Sequence, residues 1–363
     1  MVWSFTLKPE AFGLDISGVS LKLIKLKKSG KFFGLSSFGE AEIPPGLIKE
    51  GKIENEEKLV KIIKKAIKEA KGDQLKTKYV VASLPEEKAF LQVIQMPKMT
   101  KEELAKAVPF QAENYVPLAI EKVYLDFQVV PPVFDRLDHL DVLIAALPKK
   151  TVDPYLSLLK KAGLKPLALE IESQAISRAL VEKGVSSEPL LLLDMGATRT
   201  SFMIFSGYSL RFTSSIPVSS QKFTEIISKN LKVDLEQAEK LKIKKGIQAS
   251  ERDNKIFETL LPALTDLTEQ IKKYLSYYQT HAIQEHLPPD GKVVKKAFLC
   301  GGGANLKGLA DFLSLELKLQ VELGNPWTNI LPEPLKEVPE LSYPESLKYT
   351  TALGSALRGL KYD

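Results

Sequence analysis

The sequence contains few of the residues from which most small catalytic and metal sites are built. Its 363 residues include one cysteine, Cys300, and three histidines. A single cysteine excludes an intramolecular disulfide and a cysteine-rich zinc site. His281 and His286 are five residues apart, and this spacing places them on different faces of a helix. A histidine-based metal site is therefore not expected.

The motifs of two large enzyme classes are absent as well. The sequence has no G-x-S-x-G turn, which presents a catalytic serine, and no G-x-x-x-x-G-K-[ST] loop, which binds phosphates in P-loop proteins. Apolar runs stay shorter than the ~18 residues that span a membrane. The N-terminus, MVWSFTLKPEAF, does not have the pattern of a signal peptide. We therefore expect a cytoplasmic protein.

The balance of residue types is that of a soluble globular protein. Hydrophobic residues make up 44% and charged residues 26%, and the length allows two domains. The net charge is +6. In residues 58–71, KLVKIIKKAIKEAK, apolar residues recur at helical spacing and leave the lysines on the outer face. A nucleic-acid or membrane-surface patch is the alternative to a solvated helix face, but such binders concentrate their charge. We expect no nucleic-acid partner.

The pattern of strands and helices changes along the chain. From about residue 86 to 150 it indicates a small α+β insertion with strands FLQVIQMP, VYLDFQVVP and VLIAALP, and a helix over 100–116 that is interrupted near Pro109. The linker GVSSEP marks a boundary near residue 187. Other helices are predicted over residues 58–71, 151–163, 172–183, 220–231, 234–242, 254–285, 305–317 and 350–360.

Two stretches half a chain apart share one pattern. LDISGVSLKLIKL at 14–26 and LDMGATRTSFMIF at 193–205 each contain an apolar strand that ends in an aspartate, a turn of small residues and a second apolar strand. A carboxylate at the end of a buried strand needs a partner such as a metal ion. Small residues in a tight turn let backbone N–H groups approach an anion.

The repeat therefore has two interpretations. For one hairpin alone, an ordinary β-turn capped by its aspartate is favoured. The duplication favours two hairpins that face each other and hold a polyphosphate, with one Mg²⁺ near Asp15 and Asp194. A third stretch, FLCGGGANLKGL at 298–309, places three glycines between a strand and a helix. It is not a dinucleotide-binding fingerprint, because that motif needs a glycine where Leu306 stands.

Together the three stretches resemble the actin-like ATPase superfamily, which includes actin, Hsp70, sugar kinases and FtsA. The resemblance implies an α/β protein with the actin-like ATPase fold, in which two duplicated ribonuclease-H-like domains close on a nucleotide and the first carries a small α+β insertion. Ser17 replaces the glycine that is usual in the first hairpin. The implied nucleotide-binding residues are Asp15, Ser17, Gly18, Val19, Ser20, Lys22, Asp194, Gly196, Ala197, Thr198, Arg199, Glu239, Lys242, Gly301, Gly302, Gly303 and Asn305.

Within this superfamily the chain is similar to the PilM family of type IV pilus assembly. The stretches that carry the likeness are VIQMP at 93–97, PFQAENYVPLAIEKVYLDFQ at 109–128, AEKLK at 238–242 and TTALGSALRGL at 350–360. The resemblance implies that Glu239 and Lys242 reach the adenosine, although a surface ion pair is the simpler interpretation of that spacing. It also makes Glu172 the candidate for positioning the attacking water. Relatives usually have two glycines where this chain has Ser219-Ser220.

The resemblance implies an ATP- and Mg²⁺-binding scaffold that binds the N-terminal cytoplasmic segment of PilN, a single-span inner-membrane protein. It would lie at the membrane only through partners and hydrolyse ATP slowly or not at all. Partner-groove candidates are Phe110, Tyr115, Val116 and Pro117, for which core packing is the alternative. A small-molecule kinase of the same superfamily is the second functional hypothesis. The expected domains are 1–187, with the insertion at about 86–150, then 188–345, then a C-terminal helix over 346–363 that packs on the first domain.

Overall fold

A computed structural model describes residues 9–132, 138–248, 255–281, 292–332, 334–335 and 338–360. Within these residues, no helix combines the length and the apolar character that crossing a lipid bilayer requires. The ends of the predicted 254–285 helix and of the predicted C-terminal segment, residues 361–363, lie outside the described residues, as does His286.

The described strands make up two large sheets, a three-stranded sheet and a short hairpin. They are β1 (Ala11–Ile16), β2 (Ser20–Ser29), β3 (Phe32–Glu42), β4 (Ile48–Lys49), β5 (Lys52–Ile53), β6 (Lys71–Gly72), β7 (Tyr79–Leu84), β8 (Phe90–Pro97), β9 (Val123–Val130), β10 (His139–Pro148), β11 (Lys165–Ile171), β12 (Ser186–Met195), β13 (Thr200–Gly207), β14 (Ser209–Ile216), β15 (Lys296–Cys300) and β16 (Gln320–Leu323).

The described α-helices surround these sheets. They are α1 (Glu56–Lys68), α2 (Lys101–Ala112), α3 (Lys149–Lys161), α4 (Glu172–Leu180), α5 (Ser220–Leu231), α6 (Leu235–Lys245), α7 (Lys255–His281), α8 (Leu309–Leu317), α9 (Tyr343–Ser346) and α10 (Thr350–Leu360). The predicted helix over 305–317 is shorter in the structure, because Gly308, which precedes α8, has a φ of +84° that an α-helix does not allow. A single 3₁₀ turn over Gly302–Asn305 lies before this glycine.

The two large sheets share one topology. The first has the order β11-β7-β1-β2-β3-β6 and the second the order β14-β13-β12-β15-β16. In each, three antiparallel strands are followed by two strands parallel to the first, which are β7 and β11 in one sheet and β15 and β16 in the other. The repeated sequence pattern therefore corresponds to a repeated sheet. The domain boundary near residue 187 stays a prediction.

The first predicted helix shows why the lysine-rich stretch is a solvated face. Asn55 caps α1 by accepting a hydrogen bond from the Lys58 backbone N–H at 3.0 Å. Leu59, Ile63 and Ala66 are the buried residues of α1, and they pack in the core of the first sheet. Because the lysines alternate with these positions at helical spacing, they point away from the core.

The insertion forms a layer of its own. Strand β10 pairs antiparallel with β8 on one side and β9 on the other. Helix α2 covers this sheet, and its Leu104, Val108 and Ala112 are buried in the small core between them. The predicted interruption at Pro109 is wrong, since α2 continues through that proline. We attribute the continuity to the burial of Leu104, Val108 and Ala112, which offsets the lost backbone hydrogen bond.

Helix α10 packs between the first sheet and α4. A Cβ on Gly13 would lie 2.1 Å from the Ala352 carbonyl oxygen, and a Cβ on Gly354 would lie 1.8 Å from the Ala175 carbonyl oxygen. Only glycine allows backbones to approach this closely. All residues of α10 except Arg358 and Leu360 are buried.

Candidate functional site

The turns of the two repeated hairpins face each other across a cavity. A Cβ on Gly18 would lie 3.8 Å from Thr198 Cγ2, so the two turns are almost in contact. The cavity has a volume of about 520 Å³ and is lined by both turns, both aspartates and the glycine loop at 301–303. This volume lies within the range of pockets that bind small ligands. The sheets thus bring together three stretches that lie far apart in the sequence.

The first hairpin presents a short network of polar groups. The Ser17 backbone N–H donates to the Ser20 carbonyl at 2.9 Å, which closes the turn. Lys22 lies opposite Asp15 in the strand pairing, and its ammonium donates to Ser20 Oγ at 2.6 Å. Ser83, on the neighbouring strand β7, donates to Asp15 Oδ1 at 2.8 Å. Asp15 is buried, and these neighbours hold its carboxylate at the cavity floor.

The second hairpin repeats this arrangement with different chemistry. Ser201, and not a lysine, lies opposite Asp194. Cys300, on the parallel neighbour strand β15, donates through Sγ to Asp194 Oδ1 at 3.9 Å, as Ser83 does to Asp15. Burial raises the pKa of the Cys300 thiol well above its usual value, and the Asp194 charge adds to this. Cys300 is therefore an inert donor to the carboxylate and not a nucleophile.

The glycine loop closes against the second hairpin. Gly301 has a φ of +82°, and a Cβ there would lie 2.2 Å from Asp194 Oδ1. A Cβ on Gly303 would lie 2.8 Å from the Met195 carbonyl oxygen. Helix α5 begins at the same place, since the Ser220 backbone N–H donates to the Gly196 carbonyl at 3.1 Å. The glycines are therefore needed for the close approach of loop, hairpin and helix.

Charge accumulates at the cavity floor. Burial, and then the neighbouring Asp15 charge, raises the pKa of Asp194 to about 6. Burial also raises the pKa of Glu172 well above its usual value, with the charges of Asp15 and Asp194 as further causes. Carboxylates that raise the pKa values of their neighbours favour a bound cation. The described residues contain no group of three or more His, Cys, Asp or Glu side chains arranged to hold a metal.

Glu172 is held by an arginine from the other half of the chain. It is the first residue of α4, and its carboxylate accepts a hydrogen bond from Arg199 Nη2 at 3.1 Å. Arg199 Nη1 pairs with Glu87. The predicted catalytic residue therefore lies at the cavity, beside both aspartates and in an ion pair.

Glu239 lines the cavity, and Lys242 is its ion-pair partner. Lys242 is buried, and its ammonium contacts Glu239 Oε2 at 2.7 Å, Ser220 Oγ at 2.8 Å and Thr224 Oγ1 at 2.8 Å. Burial lowers the pKa of Lys242, although Glu239 opposes this shift. Because these contacts use the ammonium's donors, Lys242 fixes the Glu239 carboxylate, which itself lines the cavity.

Most of the predicted nucleotide-binding residues line the cavity, and two do not. Lys242 lies behind Glu239, and Asn305 donates to the Pro344 carbonyl at 2.8 Å instead of reaching the cavity. Several lining residues were not predicted, and these are Glu40, Glu42, Ser201, Ser220, Leu347, Lys348, Thr350 and Thr351. Glu40 could have been found, because it lies opposite Lys22 on the next strand.

The four predicted partner-groove residues lie together at the end of α2 and in the chain that follows it. Val116 is buried in the small core under α2, as the core-packing alternative proposed. Phe110 is 74% and Tyr115 41% exposed, and Pro117 is exposed. These residues do not line the large cavity described next.

A second large cavity lies on the opposite side of the insertion. It has a volume of about 730 Å³ and is lined by strand β9, helices α3 and α4, and the end of β13 with the start of β14. Apolar side chains such as Leu143 and Phe205 line it. At one end the buried Glu170 carboxylate accepts hydrogen bonds from Arg178 at 2.8 and 2.9 Å and from Arg358 at 2.8 Å. No local sequence pattern marked this cavity, because its walls come from distant segments.

Comparison with known proteins gives consistent matches. Residues 13–360 match the family described as type IV pilus assembly protein PilM. A chain of the solved PilM–PilN type IV pilus biogenesis complex is 30% identical, with a TM-score of 0.79 over 98% of this chain and 99% of that chain. MreB5 of Spiroplasma citri bound to AMPPNP is 12% identical, with a TM-score of 0.55 over 98% of both chains, and shows the fold alone.

The cell division protein FtsA of Neisseria meningitidis serogroup B (strain ATCC BAA-335 / MC58) is 24% identical over 181 residues. The match covers 46% of this chain and 44% of FtsA, so it spans less than half the length of that relative. Together the matches confirm the predicted actin-like ATPase fold and its superfamily.

Proposed function

Because the chain belongs to the type IV pilus assembly protein PilM family, we propose that it is a nucleotide-binding actin-like scaffold of the pilus assembly machinery. One observation carries this proposal: the turns of two duplicated hairpins face each other across one cavity, with Asp15 and Asp194 at its floor. Backbone N–H groups of the turns bind the phosphates of ATP. Glu239, fixed by Lys242, accepts hydrogen bonds from the ribose, and the glycine loop at 301–303 lies against the adenine.

Magnesium fits the residues present. Mg²⁺ is commonly bound by one or two carboxylates together with waters and phosphate oxygens, so a site with fewer than three protein ligands is consistent with it. The raised pKa of Asp194, caused by burial and the Asp15 charge, supports a cation between the two carboxylates. When bound, Mg²⁺ would neutralise phosphate charge. Asp15 and Asp194 would hold it.

Glu172 is the residue that would orient a water toward the terminal phosphate. The Glu172 carboxylate lies at the cavity and accepts a hydrogen bond from Arg199. Burial, and then the neighbouring carboxylates, raise the pKa of Glu172 well above its usual value. A carboxylate whose oxygen is held by an arginine is less free to accept a proton from a water. We therefore expect ATP binding with slow turnover, and Glu172→Gln should lower that turnover without weakening ATP binding.

Binding of a fluorescent ATP analogue tests the nucleotide proposal. Wild-type protein should bind it in the presence of Mg²⁺, and Asp194→Ala should abolish the Mg²⁺-dependent part. Asp266→Ala is the matched control, because Asp266 is an exposed carboxylate on α7 that does not line the cavity. Equal affinity of the Asp194→Ala variant and the wild type would refute the proposal.

The partner would be the N-terminal cytoplasmic segment of PilN, and the second large cavity is the surface that fits it. Strand β9 ends its sheet in the order β8-β10-β9, so within the described residues its outer edge is free to pair with an extended peptide. Tyr124 to Gln128 of this strand line the cavity. Apolar side chains there would bury those of the peptide. This partner would bring the protein to the inner face of the membrane.

A peptide copying the PilN N-terminus should bind with a Kd in the micromolar range or tighter. Two substitutions distinguish the two candidate binding surfaces. Tyr208 lines the second cavity and is 43% exposed, whereas Phe110 lies on α2 and is 74% exposed. Tyr208→Ser should weaken peptide binding, and Phe110→Ser should not. The reverse result would move the site to α2, and no binding with or without Mg·ATP would refute the partner proposal.

A further inference from the structure

Arg199 connects the second hairpin to the first half of the chain. It lies in the turn between β12 and β13, and its guanidinium pairs with Glu87 and donates to Glu172 Oε2 at 3.1 Å. Glu87 follows strand β7 and Glu172 begins α4, so both carboxylates are carried by elements packed on the first sheet. The Arg199 side chain is 19% exposed. This ion pair therefore holds the two sides of the cavity together.

Arg199 also lies where two cavities meet. Besides the large cavity between the hairpins, it lines a smaller one of about 320 Å³, whose other walls include both hairpin turns, Tyr155 and Gln221. Gly18 and Thr198, the residues at the closest approach of the turns, line both cavities. If the turns bind the phosphates of ATP, the terminal phosphate lies at this junction, beside the Arg199 guanidinium.

Lys22 and Lys348 also line the large cavity, but neither of them lines the smaller cavity, as Arg199 does. Lys348 pairs with Glu40 across the cavity mouth, and the Lys22 ammonium is held by Ser20 Oγ beside Asp15. The Arg199 guanidinium is a planar fork that matches carboxylate and phosphate equally well. It cannot present the same N–H groups to Glu87 and to a phosphate at one time. A terminal phosphate and Glu87 therefore compete for Arg199.

We propose that Arg199 makes the site discriminate a nucleoside triphosphate from a diphosphate. In the structure, Arg199 pairs with Glu87 and Glu172. With a triphosphate, its guanidinium exchanges Glu87 for the terminal phosphate, which a diphosphate does not offer. This inference rests on the proposed nucleotide-binding function and names the residue that senses the terminal phosphate.

Substituting either partner of the Arg199–Glu87 ion pair should change the affinity for Mg·ATP, and the two changes should have opposite signs. Glu87→Gln removes one ion pair of Arg199, and Arg199→Ala removes the pairs with both Glu87 and Glu172, so both variants should lower the melting temperature of the ligand-free protein, Arg199→Ala by more. Toward Mg·ATP they should differ. Arg199→Ala should weaken binding by about tenfold or more, the range for lost hydrogen bonds to charged groups. Glu87→Gln should tighten it by about threefold, because it removes the competitor.

Isothermal titration with Mg·ATP and Mg·ADP measures these effects. The Kd for Mg·ADP should change less than about twofold in both variants, and Arg199→Lys should restore part of the ATP affinity because it keeps the charge without the fork. Lys222→Ala is the control, since Lys222 is an exposed cation on α5 that pairs only loosely with Glu225 at 3.8 Å and should leave both affinities unchanged.

The results separate this inference from the function on which it rests. If Arg199→Ala weakens ATP and ADP by the same factor, or if Glu87→Gln weakens ATP as Arg199→Ala does, the discrimination by Arg199 is refuted while nucleotide binding stands. If the wild-type protein binds neither nucleotide, the proposed function and the discrimination are refuted together.

Discussion

Replacing Asp194 with asparagine should stabilise the protein in the absence of nucleotide and divalent cation. The carboxylate lies at the cavity floor near Asp15 and Glu172, and its pKa is raised from 3.8 to about 6, chiefly by burial. One pKa unit corresponds to about 1.4 kcal/mol. After allowance for the partial exposure of the side chain, the ionised carboxylate costs the folded state about 2 kcal/mol. Asparagine has nearly the same shape without the charge.

The sign of this effect depends on pH. At pH values well below 3.8, Asp194 is protonated in both the folded and the unfolded chain, so the variant and the wild type should be equally stable. As pH rises from about 4 to 6, the unfolded chain releases the proton first, and the free energy of unfolding of the wild type falls relative to the variant. Above pH 6 the carboxylate is ionised in both states, and the full difference is present.

Urea unfolding of both proteins in EDTA, at several pH values between 4 and 8, measures the difference. The Asn variant should be more stable at pH 7.5, and the gap should close toward pH 4. In Mg·ATP the order should reverse, because only the wild type gains stability from the ligand. Equal stability at pH 7.5, or a gap that does not depend on pH, would show that the Asp194 carboxylate is not under electrostatic stress.

Three further predictions concern packing, the insertion and the metal. Gly354→Ala should destabilise the protein by about 3 kcal/mol, because the new Cβ would overlap the Ala175 carbonyl oxygen. Gly34→Ala is the control. A Cβ on Gly34 would have no neighbour within 4 Å, so this variant should change the urea midpoint little. Arg211→Met should lower the free energy of unfolding, measured with urea, by about 4 kcal/mol. The reason is that Arg211 pairs with the buried Asp141 carboxylate at 2.6 Å, and the variant leaves this charge without the arginine. Adding Asp141→Leu should recover much of the loss. Chelating Mg²⁺ with EDTA should remove most of the rise in melting temperature that ATP produces in a thermal shift assay.

The hairpins show how much of the site a sequence can predict. An apolar run, one aspartate, a turn of small residues and a second apolar run predict a hairpin whose carboxylate lies at its end, and β1–β2 and β12–β13 confirm both hairpins. The resemblance to the PilM family is also confirmed. Strand pairing fixes which residues are opposite each other, so Glu40, opposite Lys22, was within reach of the same reasoning.

Other elements were missed for identifiable reasons. Strand β11, Lys165–Ile171, was not predicted, because it has a proline as its second residue, shortly after a helix stop, and because its residues are mostly half-buried and so show no clear alternation. The continuity of α2 through Pro109 was missed because local propensity disfavours it and only the core beneath the helix compensates. Asn305 was included on proximity to the glycines, but the 3₁₀ turn directs its side chain to Pro344.

The sequence by itself determined the local elements of this protein: two hairpins with their aspartates, a glycine-rich turn and the helices that cover the sheets. These follow from side-chain periodicity and turn chemistry, which act over a few residues. The tertiary structure alone decided that the two hairpins meet, that Arg199 crosses to Glu87 and Glu172, and that β9, α4 and β14 enclose a second cavity. These features depend on how distant surfaces pack and which charges burial brings together, and no short stretch of sequence records that.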